Sequence, residues 1–270
     1  MRLTTIIGML AGLAILVGAI AATTREPTMF LNGPGAIVVL GGTLAATLMS
    51  YSVSEIWRAV RAFFVVLRTE DRYKRSDIQE IIDVAKIWHQ GTLRDAEDAV
   101  EKARSPFVRT GLQMVIDGTP TGRIVEVLDW RISRMKAREF AEADVFNVMA
   151  TYAPAFGMVG TLLGLVNMLR DIGSMDIDRI AVNLAVALVT TFYGLVLANA
   201  VFRPMAVKLR RRTQDRVTLL NLIKEAVVLF SERQGPYHMA YTLQSFLGTT
   251  PADFDAGAHT VSAAEAHHGR

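Results

Sequence analysis

Residues 145–169 read VFNVMATYAPAFGMVGTLLGLVNML, from Val145 to Leu169 without one Asp, Glu, Lys, Arg or His. About 20 apolar residues cross a bilayer as a helix. Asp144 and Arg170 bound this run, and three more windows share its character. One runs from Leu3 to Thr24, between Arg2 and Arg25. Another lies between Glu26 and Glu55, with Asn32-Gly33-Pro34 as its lead-in turn and Pro34 in the first helical turn. The last runs from Ala181 to Phe202, between Arg179 and Arg203. Charged residues make up 20% of the chain, and a charge at mid-bilayer costs roughly 2.5–3.5 kcal/mol. Four charge-free windows therefore predict an all-α integral membrane protein with four transmembrane helices. A cleaved signal peptide is the competing reading of the first window, on Arg2 and Ala19-Ile20-Ala21. Its apolar run exceeds the usual ~7–15 residues, and a second run follows closely, as in a hairpin.

Composition agrees. Of the 270 residues, 51% are hydrophobic, and the mean hydropathy is +0.29. An ordinary soluble enzyme and a disordered chain are both excluded. With 29 basic and 26 acidic residues the net charge is +3, too balanced for a nucleic-acid partner. The absence of Cys excludes disulfides, thiolate metal sites and Cys nucleophiles. There is no Gly-rich phosphate loop, no His or carboxylate cluster at metal spacing, and no supported Ser/His/Asp arrangement. The expectation is a non-enzyme with no catalytic residues, no metal and no cofactor.

Basic residues near the membrane ends set orientation. Arg58, Arg61 and Arg68 follow the second window, and Arg131, Arg134, Lys136 and Arg138 precede the third. Arg203, Lys208, Arg210, Arg211, Arg212 and Arg216 follow the fourth. The two short connections carry Arg25, and Arg170 and Arg179 against Asp171, Asp176 and Asp178. Both termini and residues 55–144 are thus expected in the cytoplasm. The expected organisation is helices 1 and 2 in residues 1–54, a helical cytoplasmic domain in 55–144, and helices 3 and 4 in 145–204. A helical cytoplasmic extension occupies 205–248, and a flexible tail 249–270. Residues 55–144 hold 16 basic and 16 acidic side chains, with apolar residues at helical spacing: Ile78, Ile81, Ile82; Val108, Leu112; Ile124, Leu128, Ile132. Helix starts are expected at Ser76 and Ser105-Pro106. Thr121 onward reads as one long helix into the third window, and Pro204 to Phe230 as a prolongation of the fourth.

The third and fourth windows carry narrow faces without bulk. On helical spacing these are Gly157, Gly160, Thr161 and Gly164, and Ala187, Thr191, Gly194 and Ala198. Such faces admit another helix or line a water-filled path. The alternative is plain bundle packing, with each Thr hydroxyl bonded to its own i−4 carbonyl. No window holds a carboxylate, yet moving a cation through lipid requires an anionic site at depth. The charge must come from a partner.

The segment from Tyr152 to Leu169 resembles the third transmembrane helix of the flagellar stator A-subunit family (MotA/PomA type, within the MotA/TolQ/ExbB superfamily). The segment from Ala185 to Asn199, ending at Pro204, resembles its fourth, and the two-plus-two spans around a domain of about 90 residues fit. The resemblance implies a homo-oligomeric ring of A subunits in the bacterial inner membrane. The ring surrounds single-span B subunits (MotB/PomB type) that carry the ion-binding Asp and a peptidoglycan-binding domain. Ion flow, Na+ or H+, turns the flagellar rotor through the cytoplasmic domain, serving motility and chemotaxis. Pro154 and Pro204 are then coupling positions, where a lost i−4 bond supplies a hinge. Gly157, Gly160, Gly164, Ala187 and Gly194 are expected to pack against the partner's helix. Thr161, Thr191 and Thr190 supply hydroxyls to the ion path, in that order of Thr191 and Thr161 before Thr190. Proton-driven members often have Ala or Gly at the first and third of these positions, which points to sodium. Where the family has a basic residue before a Gly and then a Glu, this chain has Trp88, His89 and Gly91, so Lys86, Arg94 and Glu97 stand in as rotor contacts. An ExbB/TolQ-like energy-transducing subunit has three spans with the first isolated; a non-conducting scaffold does not require hydroxyls at depth.

Overall fold

The computed structural model describes residues 2–23, 27–68, 81–84, 86–88, 93–172, 177–235, 238–239 and 241–242. Among them every regular element is helical. In chain order the helices are α1 (Arg2–Thr23), α2 (Gly33–Ser50), α3 (Val53–Arg68), α4 (Leu93–Glu101), α5 (Pro106–Ile116), α6 (Thr121–Ile172), α7 (Ile177–Val196) and α8 (Arg203–Ser231), with a π-helical stretch at Leu197–Phe202 joining the last two. The expected start at Ser76 and the expected tail lie outside the described residues. The chain forms two compact units, residues 1–70 with 137–213 and residues 71–136 with 214–270.

The first unit contains the apolar windows. Asn32 caps α2: its side-chain oxygen accepts from the Gly35 N–H at 2.7 Å, and Pro34 occupies the first turn, where a missing N–H is no loss. The lead-in turn is thus where the sequence placed it. Thr43 and Thr47 are buried in α2 and donate to the i−4 carbonyls of Val39 and Thr43, at 2.6 and 2.7 Å. That leaves no hydroxyl orphaned in an apolar helix. Tyr51 turns extended and ends α2. Ser52 and Glu55 then open α3 as a capping box: the Ser52 N–H donates to the Glu55 carboxylate at 2.8 Å, and the Glu55 N–H reaches Ser52 Oγ at 3.4 Å. These bonds hold the Glu55 carboxyl below its ordinary pKa. Ala59 and Phe63 of α3 are buried with Phe146, Met149 and Ala153 of α6 and with Phe202, Ala206 and Leu209.

Among the described residues, three stretches are long and apolar enough to cross a membrane: Gly33–Ser50, Thr121–Arg170 and Arg179–Ser231. In their most apolar windows only 22%, 33% and 22% of residues are buried within the chain. Their outward residues include Met158, Leu162, Val166, Val182 and Leu188. Surface this apolar is covered by hydrocarbon or by neighbouring chains. α1 is helical across nearly the whole first charge-free window.

The second unit has its own core. Ile81, Val100, Val108, Leu112, Ile124, Leu128, Ile223, Val227 and Met239 are fully buried in it. The spacing of three and four residues that marked Val108/Leu112 and Ile124/Leu128/Ile132 is the stripe that packs inward. Ser105 precedes α5 and Pro106 fills its first turn, as expected. Gly118, at φ +71°, ends α5: its N–H bonds to Val115 O, and that of Thr119 to Met114 O, a Schellman closure. Gly111 stays inside α5, where a Cβ would stand 2.9 Å from a Val227 methyl. Lys224 pairs with Asp129 at 2.5 Å. The run from Thr121 is one helix of 52 residues, as its lack of breakers before Pro154 implied.

Candidate functional site

The residues singled out in the third and fourth windows meet within the first unit, along the seam between α6 and α7. A Cβ at Gly157 would lie 3.0 Å from Thr190 O, and one at Gly160 would lie 2.6 Å from Thr190 Cβ. At Gly164 it would lie 2.7 Å from Ala187 Cβ, and at Gly194 2.5 Å from Ala153 O. Distances this short leave no room for a side chain: backbone lies on backbone at Gly157 and Gly194, while Gly160 is covered by the Thr190 side chain and Gly164 by Ala187. This differs from the expectation that Gly157, Gly160, Gly164, Ala187 and Gly194 face a partner's helix: each small face is filled by the other helix of the same chain. The physical reason is simple. Two small-residue stripes on adjacent helices are each other's nearest complement, and close approach gains dispersion contacts that lipid cannot offer.

Three threonines sit on this seam and differ in surroundings. Thr190 is 1% exposed, and its Oγ1 donates to Ala187 O at 2.7 Å. Its side chain covers Gly160, and its methyl lies 2.8 Å from a Cβ placed on Gly35 of α2. Thr161 and Thr191 are half-buried, and their hydroxyls touch each other across the seam. Thr161 Oγ1 is 3.1 Å from its i−4 carbonyl, Gly157 O, and 3.0 Å from Ala187 O on the facing helix. Thr191 Oγ1 is 3.3 Å from Gly157 O. Two hydroxyl hydrogens thus serve two carbonyls and one hydroxyl–hydroxyl contact, so the acceptors outnumber the donors. The result is a neutral knot of four oxygens: Thr161 Oγ1, Thr191 Oγ1, Gly157 O and Ala187 O. Self-capping alone does not describe it, because three of these four contacts run between helices. Neutral oxygens are the ligand type that hard cations prefer, and they add no charge of their own.

Sequence reading missed the brace behind this knot. Tyr193, two residues beyond Thr191, donates its hydroxyl to Phe30 O and accepts from the Asn32 N–H at 2.9 Å. Phe192 meets Phe30 edge-on at 5.5 Å between centroids. α7 is thereby tied to the turn that caps α2. A tyrosine in an apolar helix must find a polar partner, which was the available signal.

The two prolines do different things. α6 continues through Pro154, and a Cβ at Gly194 would stand 3.0 Å from Pro154 Cα, so the proline rests on the bare backbone of α7. Pro204 lacks an N–H and its ring crowds the carbonyl four residues before it. The chain responds upstream: Leu197–Phe202 widens to a π-helix, and the Arg203 N–H reaches back to Ala198 O. Near the start of the third window, Arg210 pairs with the Asp144 carboxylate. Burial pushes the Glu142 carboxyl up, partly offset by Arg138 at 4.0 Å.

The rotor-contact candidates are in the second unit. Lys86 pairs with Asp83 at 3.2 Å, and Arg94 and Glu97 are exposed on α4. Trp88 meets Phe230 edge-on at 5.5 Å and packs onto the core. His89 and Gly91 lie outside the described residues.

Residues 99–221 match the model of the MotA/TolQ/ExbB proton channel family. Motility protein A of Cereibacter sphaeroides is 32% identical over 230 residues, 84% of this chain and 88% of that protein. Chemotaxis protein PomA of Vibrio alginolyticus is 28% identical over 247 residues, 92% of this chain and 96% of that one. The flagellar MotAB stator complex from Bacillus subtilis contains a chain of the same fold, with a TM-score of 0.80 and 24% identity over 94% of this chain and 97% of that chain. The chain belongs to the MotA/TolQ/ExbB family, as a flagellar stator A subunit.

Proposed function

We propose that this chain forms, as a ring with further copies of itself, the A part of an inner-membrane stator that turns sodium flow into torque on the flagellar rotor. In this reading α1, α2, the apolar half of α6, and α7 with its π-helical extension are the four spans. Both termini and the second unit face the cytoplasm. A single-span B subunit supplies the Asp that none of the spans contains. The MotAB stator complex from Bacillus subtilis, one chain of which shares this fold, supports a partner of that kind. The relatives' alignment over most of this chain, 92% of it for PomA, favours a stator over an ExbB/TolQ-like machine.

One observation carries the choice of ion. The Thr161–Thr191 knot offers four neutral oxygens on the two helices proposed to flank the partner's Asp. A sodium ion must replace hydration oxygens as it moves; a proton has no such need. The family description names a proton channel, so the threonines are what turn the reading to sodium. Buried Thr190 is assigned in this proposal to packing, and half-buried Thr161 and Thr191 to the ion path. Pro154 against Gly194, and the π-helical stretch before Pro204, are the proposed points where ion occupancy becomes helix movement. Lys86, Arg94 and Glu97 are retained as the proposed rotor contacts.

The test is swimming speed against sodium concentration at fixed pH and ionic strength, in cells carrying this chain and its B subunit. Speed should rise with sodium and persist in a protonophore. Speed that ignores sodium and collapses with a protonophore would return the threonines to packing.

A further inference from the structure

We propose that α3 lies along the inner-leaflet boundary of the membrane and binds anionic phospholipid headgroups through Arg58 and Arg61. The inference rests on the membrane placement above, not on the stator reading. Two observations fix the level of α3. It begins two residues after α2 ends, so it starts where an apolar helix meets water. Its inward residues, Ala59 and Phe63, pack on Ala143, Phe146, Phe202 and Ala206. Those partners straddle the points where α6 passes from Asp144 to the charge-free run and where the fourth window gives way to Arg203. The helix is therefore pinned at the height where charge gives way to hydrocarbon.

Its other face is unusual for a surface helix. Val53, Trp57 and Phe64, four and seven residues apart, form one outward stripe and are 70%, 68% and 58% exposed. Arg58 and Arg61, also exposed, flank that stripe. An outward Trp beside guanidinium groups at the height of the lipid–water boundary is the composition that boundary selects. Arg stems lie along apolar surface while their heads reach phosphate, and anionic lipid is attracted by each basic residue near the surface. A second copy of this chain is the other cover for the stripe, but it brings no stated anion to Arg61; Arg58 already lies in the field of Glu55 and Glu142, and phospholipid supplies the apolar cover and a phosphate for the outer guanidinium groups together.

Fluorescence of the full-length protein, assembled with its B subunit in nanodiscs, tests this. The chain has three tryptophans, so Trp88→Phe with Trp130→Phe leaves Trp57 alone. Lipid brominated high on the acyl chain should quench Trp57 more than lipid brominated near the chain end. Adding Arg58→Gln and Arg61→Gln should cut the preference for phosphatidylglycerol over phosphatidylcholine at α3 by about thirtyfold. A Leu44→Trp variant, with all three native tryptophans replaced by Phe, reports the membrane placement separately. If that reporter is quenched while Trp57 is not, α3 is covered by protein and the proposal fails. If neither is quenched, the membrane placement itself fails. Quenching of Trp57 with unchanged lipid preference in the Arg variants overturns the headgroup assignment.

Discussion

Gly194 has no room for a methyl group: a Cβ there would meet Ala153 O at 2.5 Å and Pro154 Cα at 3.0 Å, both backbone. Backbone cannot swing aside, so Gly194→Ala should destabilise by about 1–3 kcal/mol, the usual cost of overpacking. Gly41 is the control, since nothing lies within 4 Å of its Cβ position. There Ala should be neutral or stabilise by up to about 1 kcal/mol on helix propensity alone. Thermal unfolding of the two variants in one detergent checks both signs. Thr161 and Thr191 call for a different comparison. Thr161→Ser keeps the hydroxyl and should keep sodium-dependent motility, whereas Thr161→Val keeps the shape and should lose most of it; Thr190→Val should be milder for ion use. Equal motility in Thr161→Ser and Thr161→Val would make the hydroxyl irrelevant. Glu142 gives a pH signature. Burial raises its carboxyl pKa in the folded protein above the ordinary 4.5, so the folded state holds the proton more tightly. This contribution is fully present below the unfolded value and is lost as pH rises from there through the folded pKa. Glu142→Gln should flatten that fall and gain stability at neutral pH, read as the melting temperature across pH 4 to 8.

At the scale of elements, the helices were legible where the physics is local. The α2 cap follows from Asn32 and Pro34, and the 52-residue α6 from the lack of breakers between Thr121 and Pro154. The inward stripe of the second unit follows from spacing alone. What the glycine faces touch was not legible. Periodicity says which residues share a face, but the facing surface belongs to another helix, and here it was the chain's own α7. Tyr193 holding the turn at Phe30 and Asn32, and Trp88 packing on Phe230, escaped for the same reason: these are pairings distant in sequence. The π-helical stretch before Pro204 could have been anticipated, since the proline removes a bond that the upstream turn must redistribute. Pro204→Ala restores that N–H. It should convert Leu197–Phe202 to regular α-helix, seen as slower amide exchange there, and should lower torque while leaving the protein inserted. Unchanged exchange and unchanged swimming would make the π-helical stretch independent of the proline.

At the scale of the molecule, the division of labour is chemical. One unit gathers the charge-free helices and the oxygen knot; the other has its own core and carries balanced charge on its surface. The charge-free windows hold neutral oxygens but no carboxylate. Neutral oxygens can strip hydration from a cation, yet without an anion at depth they cannot hold it there against its hydration energy. The central claim is therefore that conduction belongs to the complex and not to this chain. The most direct measurement is sodium flux into proteoliposomes, with this chain alone and with it reconstituted beside its B subunit. The account predicts flux only with the partner present, and its loss when the partner's membrane Asp is changed to Asn. Robust sodium flux through this chain alone would contradict it.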